Sequence, residues 1–395
     1  MSSLGVAARV CTLPGMPVIE VFRAHNTATR DRARARRARA GCLLLAVAVA
    51  ALTACGKGSG DDASSIVRTT TNVAGADVVG LERDTSKACP VPSQPDQATG
   101  TRTVTTPSGP VQVPADPKRI VVLDTAALDA MCALGLWQRV QGAADSLQPA
   151  EPANPGNQPS AAIPGSAPEP SYLGYGLQIL PSVGTPGAPD VAKISARQPD
   201  LILGTVGDGN AAALRGIAPT VLIGKDPSWQ ASFGAFAGAL DRASAGAKAV
   251  ADYHAQAQTT GAAVAAKLSQ LSVLRFGAKD TQVQGDNSFA GAVLADAGVQ
   301  RPTAQRGPSF TVTGVGTAED RHRVEGDAIF VMFDGKDGLD HGKQVMGSTD
   351  WKKLGAPSDN RTFVVDDTIW HGSGITAAHA VLEDLRTNLN GYVGS

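Results

Sequence analysis

The amino-acid sequence predicts an α/β protein of two Rossmann-like lobes with mainly parallel sheets, joined by one long rigid helix. Three observations support this fold class. Continuous apolar runs, typical of strands buried on both faces of a parallel sheet, alternate with helical segments over residues 119–223. An Ala-rich helical segment follows at residues 244–271 and would span roughly 40 Å at the α-helical rise. The alternation of strands and helices then begins again at residue 272.

The elements of the first lobe follow from residue type and spacing. Short runs rich in Val, Ile and Leu predict strands at residues 119–123, 139–143, 200–203 and 220–223. A helix is predicted from Ala126 to Leu134, where Gly135 ends it, and another begins after Asp190, a favoured N-cap residue. Residues 146–170 contain seven prolines and therefore predict a loop. Two β-branched runs around a Pro-Ser-Gly-Pro turn predict a hairpin over residues 101–113.

The second lobe shows the same pattern after the linking helices. Apolar runs predict strands at residues 272–276, 328–333 and 362–365. Helical periodicity and capping residues predict helices at residues 229–240, 244–271, 289–297 and 376–389. The second of these helices is long enough to join two lobes.

The N-terminal segment predicts export from the cytoplasm. A cluster of arginines between residues 30 and 39 precedes an apolar run at 42–51, and small residues lead to Cys55. The apolar run is shorter than the ~20 residues that span a bilayer. Leu52-Thr-Ala-Cys55 resembles the lipobox of bacterial lipoproteins, which implies that Cys55 carries a lipid; the alternative is ordinary cleavage with Cys55 incidental. Residues 1–29 resemble neither a signal nor a folded element, which leaves the true start codon open.

The charge of the chain argues against nucleic-acid binding, and its cysteines predict a disulfide. Residues 1–54 hold eight arginines and two acidic residues of the chain's 35 basic and 36 acidic residues, so the remainder has a net charge of −7. Such a chain lacks the basic footprint that nucleic-acid binding requires. Outside the cytoplasm, Cys89 and Cys132 are expected to form a disulfide, with two buried free thiols as the alternative. Polar, Ser/Thr/Ala-rich sequence up to residue 100 predicts a flexible tether.

Eight segments in order resemble the substrate-binding lipoproteins of iron–siderophore, ferric-dicitrate and cobalamin ABC importers. They are residues 113–124, 128–137, 183–190, 198–203, 217–221, 288–302, 347–354 and 370–374. The resemblance implies a ligand cleft between the lobes, a ferric siderophore as ligand, an ABC permease as partner, a monomer, and no catalysis. It implies an extracytoplasmic protein anchored to the outer face of the cytoplasmic membrane by the lipid on Cys55. The division of the chain becomes 1–54 (signal peptide), 55–100 (lipid-anchored tether), 101–228 (N-terminal lobe), 229–271 (linking helices) and 272–395 (C-terminal lobe).

The candidate ligand-binding residues are arginines and aromatic residues. The siderophore already surrounds its iron, so the protein needs no cofactor and no metal ligands of its own, but hydrogen-bond donors and aromatic faces. The candidates are Arg275, Trp370, Tyr172, Tyr175, Trp229 and Arg306. For Arg275 the alternative is a surface ion pair, for either tryptophan it is core packing, and for the tyrosines it is an exposed loop position.

Docking to the permease is expected at Glu319, since the resemblance implies one glutamate on each lobe. The equivalent position of the first lobe holds Ala192, so coupling to transport stays in question. Two alternatives remain on the same fold. One is a haem-binding protein in which His371 and Tyr172 or Tyr175 supply axial ligands. The other is a cell-envelope interaction protein no longer coupled to transport.

Overall fold

The computed structural model describes residues 72–80, 83–97, 99–144, 172–174, 180–207, 210–224 and 228–389. All of them lie in one compact unit, Val67–Ser395. The predicted signal peptide, residues 1–54, and the predicted lipid anchor, Cys55, lie outside the described residues. Among the described residues, no helix is both long and apolar enough to cross a membrane.

Strands and helices alternate along most of the described chain. The strands are β1 Asn72–Val73, β2 Ala76–Val78, β3 Thr101–Thr106, β4 Gly109–Pro114, β5 Ile120–Val122, β6 Val140–Ala143, β7 Gly184–Thr185, β8 Ala188–Pro189, β9 Leu201–Thr205, β10 Thr220–Ile223, β11 Leu271–Phe276, β12 Thr281–Val283, β13 Phe310–Val312, β14 Ala328–Phe333 and β15 Thr362–Val364. The helices are α1 Thr125–Ala133, α2 Val191–Ala196, α3 Ala211–Arg215, α4 Trp229–Ala239, α5 Ala243–Ala263, α6 Phe289–Asp296, α7 Ala318–Val324, α8 Gly335–Gly347, α9 Gly355–Ser358, α10 Asp367–Trp370 and α11 Ile375–Leu389.

The sheet of the first lobe has the strand order β10-β9-β5-β6 and is parallel throughout. Alternate residues of the central run enter two different cores: Ile120 and Val122 pack into one, Val121 and Leu123 into the other. Burial on both faces explains why this sequence is continuously apolar. The predicted strands of this lobe and the β3–β4 hairpin are confirmed.

The second lobe contains a seven-stranded sheet of order β1-β2-β15-β14-β11-β12-β13. Its centre, β11, β14 and β15, is parallel, while β12 and β13 are antiparallel additions at one edge. The central strand again divides its side chains, with Phe330 and Met332 in one core and Ile329 and Val331 in the other. The predicted mainly parallel second sheet is therefore confirmed at its centre.

The prediction of a flexible tether up to residue 100 is wrong for residues 72–80. These residues form β1 and β2, and β2 pairs in parallel with β15 through Asp77 opposite Phe363. Val73 and Ala76 are buried in one core of the second lobe, and Val79 is buried in the core that both lobes share. The predicted domain division therefore fails for this segment, which belongs to the C-terminal sheet.

Residues 83–97 are also held against the folded unit. The predicted disulfide between Cys89 and Cys132 is confirmed, with a Cα–Cα distance of 4.6 Å, and it ties this segment to α1. Nearby, the hydroxyl of Ser93 donates to the carbonyl of Leu134 at 2.7 Å. The polar composition that predicted a tether thus reflects a surface segment held by a covalent bond and backbone contacts.

Helix α5 is the long linking helix, but it is shorter than predicted. It has 21 residues, or roughly 32 Å at 1.5 Å per residue. The predicted end at Leu271 is wrong because Ala265 adopts a left-handed backbone conformation with φ of 47°, and Leu271 already begins β11. Gly261 permits close packing on α6, since a Cβ there would lie 1.9 Å from the carbonyl oxygen of Ala297.

The two lobes share one hydrophobic core around α1, α4, α5 and α11. This core includes Leu128 from the first lobe together with Phe330 and Leu382 from the second. The carboxylate of Asp129 on α1 accepts hydrogen bonds from the backbone N–H groups of Thr376 (2.9 Å) and Ala377 (3.0 Å) in the first turn of α11. Both apolar packing and a buried polar contact therefore fix the lobes to each other.

Candidate functional site

The carboxyl ends of the parallel strands β11, β14 and β15 bring chemically active side chains together. In open α/β sheets, ligands bind at this edge because the loops there converge. Arg275 lies near the end of β11, Asp334 directly follows β14, and Asp367 and His371 follow β15. These four residues form what we call the strand-end cluster, and Arg275 is the one that the sequence predicted as a ligand contact.

Arg275 is held by two carboxylates. Its Nε donates to Oδ1 of Asp367 at 2.7 Å and its Nη2 to Oδ2 of Asp367 at 2.9 Å, a bidentate arrangement. Asp334 approaches from the other side, with Oδ1 at 3.0 Å from Nη2 and Oδ2 at 3.3 Å from Nη1. The hydrogen bond to Asp367 is the main factor that raises the pKa of Arg275. The guanidinium is therefore fixed in orientation and permanently charged.

His371 completes the strand-end cluster as a neutral side chain. Desolvation and the positive charge of Arg275 lower its pKa, against smaller opposing effects of Asp367 and Asp334. With His371 neutral, the two carboxylates and one guanidinium leave the strand-end cluster with a net charge of −1. The strand-end cluster therefore presents an excess of hydrogen-bond acceptors.

The first lobe contributes a buried carboxylate at its own carboxyl edge. Asp124 follows β5, accepts from the N–H of Ala127 at 2.8 Å as the N-cap of α1, and accepts from the N–H of Thr205 at 2.7 Å. Burial raises its pKa. This residue joins the ends of β5 and β9. Strands β6, β9 and β10 lead towards residues 145–171, 208–209 and 225–227, which lie outside the described residues.

A ligand contact by Trp370 stays a prediction that the structure does not favour, because the side chain is fully buried. It lies in α10, stacks on Phe330 with ring centroids 4.6 Å apart, and donates from Nε1 to Oδ2 of Asp384 at 2.9 Å. Asp384 is itself paired with Arg83. The short helix after β15 turns this tryptophan inward, so core packing, the alternative weighed for it, is what the structure contains.

Trp229 is also in the core. It is only 5% exposed and makes edge contacts with Tyr253 (centroids 4.8 Å apart) and Phe289 (6.2 Å). Its position at the start of α4, shortly after β10, agrees with the predicted location between the lobe and the linking helix. Its indole Nε1 is buried and has no hydrogen-bond acceptor among the described residues. A direct ligand contact by Trp229 therefore stays a prediction that this burial does not favour.

Tyr172 does not lie on an exposed rim. It is 3% exposed and packs beside Asp129, whose pKa its hydroxyl lowers through a hydrogen bond. The carbonyl oxygen of the neighbouring Leu173 lies 3.6 Å from Sγ of Cys89, so this part of the Pro-rich connection packs next to the disulfide. A ligand contact by Tyr172 therefore stays a prediction that this burial does not favour. Tyr175 lies outside the described residues.

Arg306 is exposed, but the structure places it away from the strand-end cluster. The adjacent Gln305 is buried and donates from Nε2 to the carbonyls of Arg323 and Glu325, which precede β14. The segment that contains Arg306 therefore contacts the amino ends of β11 and β14 and not their carboxyl ends. A ligand contact by Arg306 stays a prediction that its place at the amino ends of the strands does not favour.

Glu319 lies where a partner could reach it. It is exposed in the first turn of α7, two residues after the N-cap Thr317. Ala192 has the same place in α2 after the N-cap Asp190. The equivalence of the two helices is supported by Asp200 and Asp327, each eight residues further on. Each accepts a backbone N–H at 2.7 Å at the beginning of a parallel strand, from Lys118 and Gln270 respectively.

Sequence analysis missed the acidic partners of Arg275. Asp334 directly follows the apolar run of β14, and Asp367 follows that of β15, so their positions after strands were an available signal. It also missed Asp129, which sits inside a helix where its neighbours are apolar.

The positions of the His, Cys, Asp, Glu and Tyr side chains also bear on whether the protein could bind a metal ion or a haem. Among the described residues, no group of three or more His, Cys, Asp or Glu side chains lies together as a metal site. The haem alternative paired His371 with a tyrosine. Of the two tyrosines weighed for this role, Tyr172 is buried beside Asp129 and Tyr175 lies outside the described residues.

The chain is similar to a known protein family, to a curated relative and to solved structures. Residues 120–368 match the family model described as "Periplasmic binding protein". The chain is 27% identical over 292 residues to "Probable siderophore-binding lipoprotein YfiY" of Bacillus subtilis (strain 168), which covers 70% of this chain and 83% of the relative. Staphylococcus aureus SirA, solved in complex with staphyloferrin B, matches with a TM-score of 0.58 at 23% identity over 73% of this chain and 99% of SirA. A FhuD-fold binding component of a Fep/Fec-like ferrichrome ABC transporter from Bacillus subtilis matches with a TM-score of 0.57 at 21% identity, over 72% of this chain and 98% of that protein.

Proposed function

The chain belongs to the periplasmic binding protein family, and from this premise we propose that it captures a ferric–siderophore complex outside the cytoplasm for an ABC importer. The observation that carries the ligand class is the similarity to a relative named for siderophore binding over most of both chains. The protein binds its ligand and delivers it, and it catalyses no reaction. We further propose that it acts as a monomer, is attached to the membrane through a lipid on Cys55, and contacts its permease through Glu319.

The strand-end cluster supports a ligand site at the carboxyl edge of the second lobe. Arg275 has a fixed guanidinium, and Asp334 has an exposed carboxylate, with its side chain 58% exposed. A polar ligand surface, such as the outer atoms of a siderophore around its iron, can bond to the Asp334 carboxylate, which the guanidinium holds in place. The iron needs no bond to the protein, since the siderophore supplies its ligands.

Isothermal titration calorimetry of residues 56–395 tests this function. The ligands are ferric hydroxamates, ferric catecholates, ferric citrate, haem and cobalamin. Saturable binding of a ferric siderophore supports the proposal, and binding of haem alone would replace it with the haem-binding alternative. Absence of binding by a cooperatively folded protein would favour a role in the cell envelope without transport.

Arg275→Ala tests the location of the site, with Arg306→Ala as its control. The substitution removes the charge-assisted hydrogen bonds that hold Asp334 in position, worth about 1.5–3 kcal/mol, and should weaken binding about tenfold to a hundredfold. Arg306→Ala removes an exposed arginine at the opposite end of the strands and should leave the dissociation constant within about twofold. Equal effects of the two substitutions would contradict a site at the carboxyl edge.

A further inference from the structure

The donors of Arg275 are already in use. Nε and Nη2 bond to Asp367, while Nη1 and Nη2 contact Asp334, at the distances given above. Only 19% of the Arg275 side chain is exposed, so few of its N–H groups can face a ligand. An anionic ligand that used this guanidinium would have to displace a carboxylate that is already bound in bidentate geometry. Arg275 is therefore a poor anion receptor in this arrangement.

The surrounding strand ends carry an excess of negative charge. Residues 277–280, 334–337 and 365–367, which follow β11, β14 and β15, contain five carboxylates and two lysines, and Arg275 is a third cation. They are Asp280, Asp334, Asp337, Asp366 and Asp367 against Arg275, Lys279 and Lys336. Asp366 is occupied as the N-cap of α10, where it accepts from the N–H of Thr368 at 2.8 Å. Asp334 combines high exposure with direct contact to the fixed guanidinium, so its free lone pairs are the acceptors best placed for a ligand.

From this charge arrangement we propose that the site selects ferric complexes that carry a positive group or hydrogen-bond donors, and that Asp334 is the residue that recognises them. The proposal rests on the proposed ferric–siderophore function and deepens it by naming the subclass. A ferric trihydroxamate with a terminal ammonium group has the required chemistry, because three singly charged hydroxamates neutralise Fe³⁺ and the ammonium remains. Ferric citrate and ferric tricatecholates, which carry net negative charge, have the opposite sign.

Arg275 acts in this site as a positioning residue for Asp334. Its guanidinium holds one side of the carboxylate and leaves the other side to solvent. Asp367 in turn fixes Arg275 through two parallel hydrogen bonds. The order of contact from the interior outwards is Asp367, Arg275, Asp334 and then ligand.

A pair of ligands that differ by a single charge provides the test. The probes are a ferric trihydroxamate with a terminal ammonium group and its N-acetylated, neutral form, titrated into residues 56–395 at low and high salt, with ferric citrate as the anionic probe. The ammonium form should bind about tenfold more tightly than the acetylated form at low salt, equivalent to about 1.4 kcal/mol. This difference lies between the interaction of two unit charges in bulk water and near a protein surface. It should shrink at high salt, because exposed charges are screened.

Two substitutions and one control separate recognition from folding. Asp334→Asn should abolish the difference between the ammonium and acetylated forms, so that both bind the variant with the same dissociation constant within about twofold. Asp367→Asn should release Arg275 and strengthen the binding of ferric citrate several-fold. Asp359→Asn removes an exposed carboxylate that pairs with Arg361 before β15, and it should alter none of these affinities.

The outcomes distinguish this inference from the proposed function. Equal affinity for the ammonium and acetylated forms, or tighter binding of ferric citrate by the unmodified protein, would overturn the selectivity and leave siderophore binding intact. An unchanged preference in Asp334→Asn would overturn the assignment of that residue. Absence of binding by every ferric complex would instead reject the proposed function itself.

Discussion

Asp129 provides a quantitative test of how the lobes are joined. Its carboxylate is completely buried in α1 and accepts two backbone N–H groups from the first turn of α11. Burial is the main cause that raises its pKa from the ordinary 3.8 to about 6, against the lowering effect of the hydrogen bonds from Thr376 and Ala377. Asp129→Asn keeps the shape of the side chain and removes its titration.

The magnitude follows from linkage between protonation and folding. Between pH 3.8 and 6 the folded protein retains a proton on Asp129 that the unfolded chain has lost, so the free energy of unfolding falls as the pH rises. The contribution is fully present below pH 3.8 and is lost by about pH 6. A shift of about two pKa units corresponds to about 3 kcal/mol at 1.36 kcal/mol per unit.

Urea denaturation followed by circular dichroism at pH 4, 5, 6 and 7 measures this effect. The free energy of unfolding of the wild type minus that of Asp129→Asn should fall by about 2.4 kcal/mol from pH 4 to pH 7, since the unfolded Asp129 is already partly ionised at pH 4. The lowered pKa values of His371 and His379 act in the opposite direction, but they affect both proteins equally and cancel in the difference. A difference that stays constant within about 0.5 kcal/mol would refute the assignment of the raised pKa to Asp129.

Two further predictions concern stability. The double substitution Cys89→Ala and Cys132→Ala should lower the free energy of unfolding by about 4 kcal/mol, because the disulfide closes a loop with a sequence separation of 43. Urea denaturation measures the loss, and less than about 1 kcal/mol would contradict the tie between the two segments. Trp370→Phe should cost about 1.5–3 kcal/mol through the lost hydrogen bond to Asp384, while ligand affinity stays unchanged in calorimetry. A tenfold weaker affinity in a stably folded Trp370→Phe variant would instead return this residue to the ligand site.

The parallel strands could be predicted from the sequence because both of their faces are buried. In β5 and β14, successive residues enter different cores, so every position is apolar and the run has no polar interruption. Such runs are strong local signals that do not depend on the partner strand.

Pairing between distant segments could not be predicted in the same way. Strands β1 and β2 are two and three residues long, and their buried Val73 and Ala76 alternate with exposed polar residues. Nothing local indicates that Asp77 lies opposite Phe363, since these residues are far apart in the chain. The polar composition of the segment predicted a tether, although only the central part of a sheet needs continuous apolar sequence.

The direction in which a side chain points at the end of a strand could not be predicted from the sequence either. Trp370 follows the last parallel strand, as a ligand contact would, but α10 rotates its indole onto Phe330. The acceptor for its N–H, Asp384, comes from α11, one helix later in the chain. A tryptophan shortly after a strand thus satisfies its polar atom inside the core, and only the three-dimensional arrangement distinguishes this from a surface position.

The position of Arg275 at the end of a strand could be predicted from the sequence, but the charge of its surroundings could not. The sequence placed a guanidinium at the carboxyl edge, and an isolated guanidinium there would favour anionic ligands. The two carboxylates that bind it come from the ends of β14 and β15, and their contacts depend on the register in which Arg275 lies beside Met332. Asp367 and Asp334 occupy the donors of Arg275, and their two negative charges exceed its single positive charge. Arg275 therefore supports an exposed acceptor and does not act as an anion receptor. The sign of the ligand is therefore set by the sheet pairing that brings three distant segments together, and this is a property of the fold that no single segment carries.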